Sequence, residues 1–230
     1  GLPKNKYGDA DPVYIRDKKN NNYRVLDSRK KSVRKWEKEF CTFFPRMYSD
    51  QQRSYIQGYK YWGNVEAHHR NKTITNSNGE PESLEVPTMQ ANLTYFFKYQ
   101  VGYMYLRYFF WNFVGRQNDV QGMNGNNMDG NWLSGIGLID DLRLGTDTSK
   151  TIYRDKNNFA NNHFYGLPLI LGLCGMFFHF KRSKPEAWVV MCFFLLTGLA
   201  IIVYLNQSPY QVRERDYAYV GSFYAFAIWI

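Results

Sequence analysis

The chain has 230 residues, a net charge of +9, 44% hydrophobic and 18% aromatic residues, and 3 cysteines. Cys41, Cys174 and Cys192 are too few for a disulfide framework, and with no CxxC and no close His pair beyond His68–His69 a structural zinc site has little support. The densest basic run, Arg29, Lys30, Lys31, Arg34, Lys35 and Lys38, is interleaved with Asp27, Glu37 and Glu39, the pattern of a solvated or headgroup-facing surface rather than of a groove for nucleic acid.

Residues 1–30 read as extended and turn-rich. Val13-Tyr14-Ile15 and Tyr23-Arg24-Val25-Leu26 flank Asn20-Asn21-Asn22, which predicts a hairpin. Ser32 to Phe44 is expected to be a helix capped by Ser32, and residues 49–62 to hold one more short helix. From Asn64 to Pro87 the chain is polar, with a turn at Asn76-Ser77-Asn78-Gly79 and breakers at Pro81 and Pro87, and reads as a loop. Together residues 1–90 form an extramembrane region.

Residues 91–115 are strongly aromatic but hold Lys98, Gln100 and Arg107. At helical spacing Gln100, Tyr103, Arg107 and Trp111 share one face. A lipid-exposed charge costs roughly 2.5–3.5 kcal/mol at mid-bilayer, so this helix is expected to lie at or dip into the interface, a true span with Arg107 buried in a bundle being the alternative. Residues 116–163 form a Gly- and Asn-rich loop, with Trp132, Leu133, Ile136, Leu138, Ile139 and Leu142 as apolar anchors.

The end of the chain changes character. Apolar runs over 164–180 and 187–205 are separated by Lys181, Arg182, Lys184 and Glu186, and a third over 217–230 is short. A spanning helix needs about 20 apolar residues. The first two runs are expected to be spans and the third a span cut short. With no initiator Met and no leader behind Gly1, the chain is expected to be an internal fragment. The mean hydropathy of −0.51 hides these runs beneath a polar remainder. The expected fold class is mainly α, with polytopic membrane helices, a partly β extramembrane N-terminal region and a long loop. By the positive-inside rule the 181–186 turn faces the cytoplasm, which puts residues 116–163 and 206–216 on the other side.

No hydrolase, kinase or metalloprotease signature is present, and Gly122-Met123-Asn124-Gly125 lacks the setting of a phosphate loop. His68, His69, His163 and His179 read as solvent-facing or interfacial. Two polar groups remain: Arg116-Gln117-Asn118-Asp119, and Tyr210 to Tyr217 with Arg213, Glu214, Arg215 and Asp216. Arginine binds a phosphate at two points, and carboxylates beside it can act as a base or hold a divalent cation. Such a pair of groups suits a substrate with its phosphate head at the membrane surface. The bland alternative is that Arg213 and Arg215 anchor a helix end to headgroups.

Four stretches, Phe44 to Tyr48, Arg107 to Asp119, Gly130 to Ile136 and Arg213 to Phe226, resemble a bacterial family of large polytopic membrane proteins. That family is named for a domain of unknown function and is similar to protein O-mannosyltransferases. The resemblance covers almost the whole chain. It implies a GT-C architecture in the bacterial inner membrane and a polyprenyl-phosphate sugar as donor, with a protein or glycan as acceptor. The usual catalytic Asp would lie upstream, so no catalytic residue is named here. On this expectation Arg213 and Arg215 bind the donor phosphate, while Arg107, Arg116, Asp119 and Asp216 shape the site. The alternative is a non-catalytic membrane scaffold or assembly subunit. A transporter fits least, because the two complete runs hold few polar residues beyond Thr197.

Overall fold

A computed structural model describes residues 6–17, 20–35, 41–43, 46–49, 51–75, 79–122, 125–145, 158–210 and 215–230. The chain divides into two units, residues 1–45 with 69–89, and residues 46–68 with 90–230.

The first unit consists of hairpins. β1 (Lys6–Gly8) pairs antiparallel with β4 (Val33–Lys35), bracketing a second antiparallel pair, β2 (Val13–Asp17) and β3 (Asn22–Asp27). Asn21 turns the chain between β2 and β3 at φ 53°, a left-handed conformation that Asn tolerates better than most residues. This is the expected hairpin. The helix expected from Ser32 is not there at its start, since Val33–Lys35 is a strand; residues 36–40 lie outside the described residues. The expected loop over 64–87 is largely strand: β5 (His69–Thr75) pairs in unbroken antiparallel register with β6 (Pro81–Pro87). Both prolines sit at the ends of β6, the positions where a missing N–H costs a ladder least.

The second unit holds the core. α1 (Arg53–Gly63) ends at Asn64 in the left-handed conformation, and Val65 N donates to Lys60 O at 3.1 Å, closing the last turn. α2 (Met89–Tyr95), a wide-turned π-helical stretch (Phe96–Leu106) and α3 (Arg107–Phe113) follow one another without a break. Tyr95, Tyr99 and Tyr103, four apart, stack along one side, with centroid distances of 5.2 and 5.9 Å. Tyr59 and Trp62 of α1 cover that ladder.

β7 (Gly115–Arg116) pairs with β8 (Asn162–His163), and α4 (Gly137–Leu144) lies between them in sequence. α5 (Leu167–Arg182) precedes a helix that runs from Lys184 to Leu205 as α6 (Lys184–Leu195), a π-helical turn (Leu196–Ala200) and α7 (Ile201–Leu205). A 3-10 turn (Asp216–Tyr219) leads into α8 (Val220–Ala227).

This corrects the expected fold class. The chain is mixed α and β, and among the described residues one helix, Lys184–Leu205 with 22 residues, is long and apolar enough to cross a membrane; this is not a polytopic array. The first apolar run loses Phe164 to Gly166, because Tyr165 and Gly166 are left-handed at φ 54° and 70° and Pro168 starts the helix in its first turn. Along the third run Phe226 and Trp229 are buried against Phe109 and Phe113, whereas Tyr217, Val220, Tyr224, Ile228 and Ile230 are exposed.

Candidate functional site

The sequence offers Arg107, Arg116, Asp119, Arg213, Arg215 and Asp216 as the site. Arg213 lies outside the described residues. Arg215 is exposed and its carbonyl accepts the Ala218 N–H at 3.0 Å, while Asp216 opens the 3-10 turn and is half-buried. Arg116 is held by the β7–β8 pair and stacks over Trp111 with its guanidinium 4.4 Å from the ring centroid. Asp119 is exposed, and its Oδ1 accepts from Asn158 Nδ2 at 3.0 Å. The described hydrogen bonds of Arg116 and Asp119 thus run to residues 158–162, and that of Arg215 runs to Ala218. They do not link the two groups into one mouth.

Arg107 is turned inward. It is 4% exposed, Nη1 donates to Gly130 O at 2.8 Å and Nε to Tyr103 O at 3.1 Å. The rings of Tyr103 and Tyr108 lie on it at 4.1 and 4.5 Å, a cation–π contact on each side.

What the fold does bring together is a knot of short amides inside the Gly/Asn-rich loop. Asn118, fully buried, accepts from Gly130 N (2.9 Å) and Val120 N (3.2 Å) and donates to Met128 O and Asp129 Oδ1. Gln117 Oε1 accepts from Asn131 Nδ2 at 3.1 Å, and Asn131 Nδ2 also reaches Asn126 O at 2.9 Å. Tyr103 OH donates to Gly122 O at 2.7 Å, tying the knot to the aromatic ladder. Gly130 is left-handed at φ 67°, and a Cβ there would sit 2.5 Å from Gly122 N, so only glycine fits. Asp140 accepts from Ser134 N (2.8 Å) and Gly135 N (3.0 Å) at the head of α4, whose Arg143 stacks on Trp132 at 4.0 Å and donates to the Trp132 carbonyl. Burial lowers Arg143 to about 10, with the Asp140 charge opposing.

A second buried polar set lies along the π-helical stretch. Arg46 donates to Gln100 Oε1 at 3.0 Å and to Val203 O at 3.2 Å. Gln100 Nε2 donates to Asn206 Oδ1 and to Gln207 O, both at 3.0 Å, and Tyr95 OH reaches the same Gln207 carbonyl at 2.6 Å. Burial pulls Arg46 below its ordinary value. The sequence singled out Gln117 and Asn118 as part of a polar group and Gln100 as part of a polar face, but gave none of them a partner, and it assigned no role to Asn131 or Arg46. The one available signal was the density of Asn beside Gly, since short amides satisfy loop backbone that no ladder serves.

Both sets do mechanical work, fixing a long connection and the end of the Lys184–Leu205 helix. Among the described residues no three His, Cys, Asp or Glu side chains gather to hold a metal. Among the described residues, the polar exterior near the knot includes Asp119, Gln121, Asn126 and Asn127, with Arg116 half-buried.

Residues 2–97 match the model of a family of unknown function (DUF8416). No curated protein and no solved structure matches the chain. The likeness is therefore to a domain of unknown function, in keeping with the coarser expectation from sequence, and it carries no activity. Similarity to protein O-mannosyltransferases finds no support in these comparisons.

Proposed function

We propose that this chain is a membrane-anchored scaffold or assembly subunit, held in the bilayer by the Lys184–Leu205 helix and presenting the knotted loop outside it. One observation carries the reading: large apolar side chains stand on the surface while several polar ones are taken inside. Arg107, Gln117, Asn118 and Asn131 are buried, whereas Val189 and Leu196 of the long helix and Leu138 and Leu142 of α4 are more than 60% exposed. Only 11% of the long helix's apolar window is buried within the chain. An apolar surface of that extent needs lipid or protein over it. α4, fixed by Asp140 and by the Arg143–Trp132 stack, then offers Leu138 and Leu142 as a rigid contact for an assembling protein.

The test is depth. In a Cys-free background, a fluorophore on Leu196→Cys should be quenched by brominated lipid, and one on Leu142→Cys should not. An unquenched Leu196 label would sink the anchored reading.

A glycosyltransferase using a polyprenyl-phosphate sugar is the second reading. It draws on Asp119, an exposed carboxylate on a rigid mount beside Arg116. Under it, Asp119→Asn and Arg116→Lys would abolish glycan transfer by the protein without lowering its accumulation. Unchanged transfer in both variants would leave the scaffold reading alone.

A further inference from the structure

The β2–β3 hairpin has no cover. Both of its faces are exposed, and none of the described buried hydrophobic side chains belongs to β1–β6. A two-stranded hairpin alone is marginal in water, so an uncovered pair of this composition calls for a surface to lie on.

Its register sorts the side chains. Tyr14 opposes Val25 and Arg16 opposes Tyr23, so these four share one face; Ile15 opposes Arg24 on the other. A register shift between Val13 and Tyr14 leaves Leu26 beside the pair, 64% exposed, and Tyr23 is 72% exposed. The face therefore combines two phenols and Val25 with an arginine, and Leu26 stands at the bulge beside it.

The turn that follows supplies charge. Arg29, Lys30 and Lys31 are exposed in sequence, and Arg29 and Lys31 both adopt left-handed backbone, at φ 44° and 51°. Long side chains rarely take that conformation, and here carboxylates hold it in place. Asp27 Oδ1 accepts from Arg29 N at 2.8 Å and Asp9 Oδ1 from Lys31 N at 2.9 Å, while Ser32 Oγ donates to Arg29 O at 2.6 Å. Asp27 and Asp9 are thus turned onto the backbone, and the three cations are exposed.

From this arrangement we infer that the β2–β3 hairpin and the Arg29–Lys31 turn form a docking surface for an anionic lipid bilayer. Charge complementarity selects the occupant: a basic turn is drawn to anionic headgroups, and tyrosines with aliphatic neighbours favour the polar–apolar boundary just beneath. An acidic extended peptide would use a strand edge and leave the Tyr14–Tyr23–Val25 face bare. The inference rests on the hairpin alone and not on the anchoring helix.

The experiment uses the whole chain in nanodiscs of phosphatidylcholine, or of an equimolar mixture with phosphatidylglycerol, carrying brominated lipid. With a fluorophore on Leu26→Cys in a Cys-free background, quenching should appear in the anionic discs and be lost in neutral ones. The triple change Arg29→Glu, Lys30→Glu, Lys31→Glu should abolish it, and Tyr14→Ser with Tyr23→Ser should weaken it with the charges intact. All five positions are exposed, so folding should survive. Equal quenching in both discs, or quenching indifferent to charge reversal, overturns the inference. So does protection of the label by an acidic polypeptide in place of lipid, which would give the face to a protein. A parallel label on Leu196→Cys reports insertion separately, so failure of the hairpin inference and failure of the anchored reading give different results.

Discussion

Two helices of the second unit, Met89 to Phe113 and Lys184 to Leu205, are both rich in apolar residues and meet opposite fates. The first carries Lys98, Gln100 and Arg107, yet it buries Tyr95, Tyr99, Gln100, Met104, Tyr105, Arg107 and Phe109. The second carries no charge after Lys184 and Glu186 in its first turn, and it buries little more than Ala187, Gly198 and Ile202. Gln100 and Arg107 thus mark the helix that belongs to the protein interior, because each has a partner there that neither lipid nor bulk water would improve on. A helix without polar groups has nothing to pair and can leave its surface to a bilayer.

The largest effect should come from removing the polar anchor of the buried helix. Arg107→Leu abandons Gly130 O, Tyr103 O and two ring contacts while keeping much of the volume. Hydrogen bonds from a charged donor and desolvated cation–π contacts together set the loss at roughly 3–5 kcal/mol. Thermal unfolding in detergent should show it, with the knot around Asn118 becoming sensitive to protease. A variant as stable as the parent would mean that Arg107 is tolerated in the interior rather than used there, and the contrast between the helices would collapse.

A smaller effect is expected where the two helices meet. A Cβ on Gly198 would stand 2.8 Å from both Ser222 Oγ and Tyr105 OH. Those hydroxyls bond each other at 2.6 Å, and Ser222 Oγ also bonds Phe194 O at 3.0 Å. Close approach at a small residue, joined by a polar contact, is how helices associate where there is no hydrophobic drive. Gly198→Leu should cost about 1–3 kcal/mol by overpacking. A truncation next door, Leu199→Ala, should cost less, since that side chain is 41% exposed. Equal effects at the two positions would place the contact elsewhere.

Much of this fold is visible in the sequence where a local rule operates alone. The β2–β3 hairpin follows from β-branched and aromatic runs about Asn20-Asn21-Asn22, α1 from its position after a broken segment, and the long helix from an uninterrupted apolar run. The misses come from non-local partners. Val33–Lys35 looks like the first turn of a capped helix, but it pairs with Lys6–Gly8, far back in sequence. β5 and β6 are too polar for a period-two signal, because both faces of that hairpin are largely exposed. Phe226 and Trp229 read as lipid-facing until Phe109 and Phe113 are seen against them. Arg107 and Asn118 were legible as unusual residues in unusual places; that they hold a loop rather than a ligand depends on Gly130, which no spacing rule connects to either.

The subtlest test asks whether the aromatic ladder of the buried helix is as dry as its packing implies. Tyr59 of α1 meets Tyr95 edge-to-face at 5.1 Å and is 6% exposed. Burial pushes its hydroxyl from the ordinary 10.0 up to about 12, with the backbone at Ser49 working weakly against the shift. The sign then follows from linkage. Between pH 10 and 12 the unfolded chain has lost the Tyr59 proton and the folded one has kept it, so stability present below pH 10 drains away as pH rises through that window. Tyr59→Phe removes the proton from both states and should flatten this part of the decline, leaving whatever Tyr95, Tyr105 and Tyr219 contribute. Unfolding midpoints followed from pH 9 to pH 12 should therefore fall more steeply for the parent than for Tyr59→Phe. Parallel curves across the window would mean that water reaches the Tyr59 hydroxyl, and that the interior face of the Met89–Phe113 helix is less sealed than the outward face of the Lys184–Leu205 helix is bare.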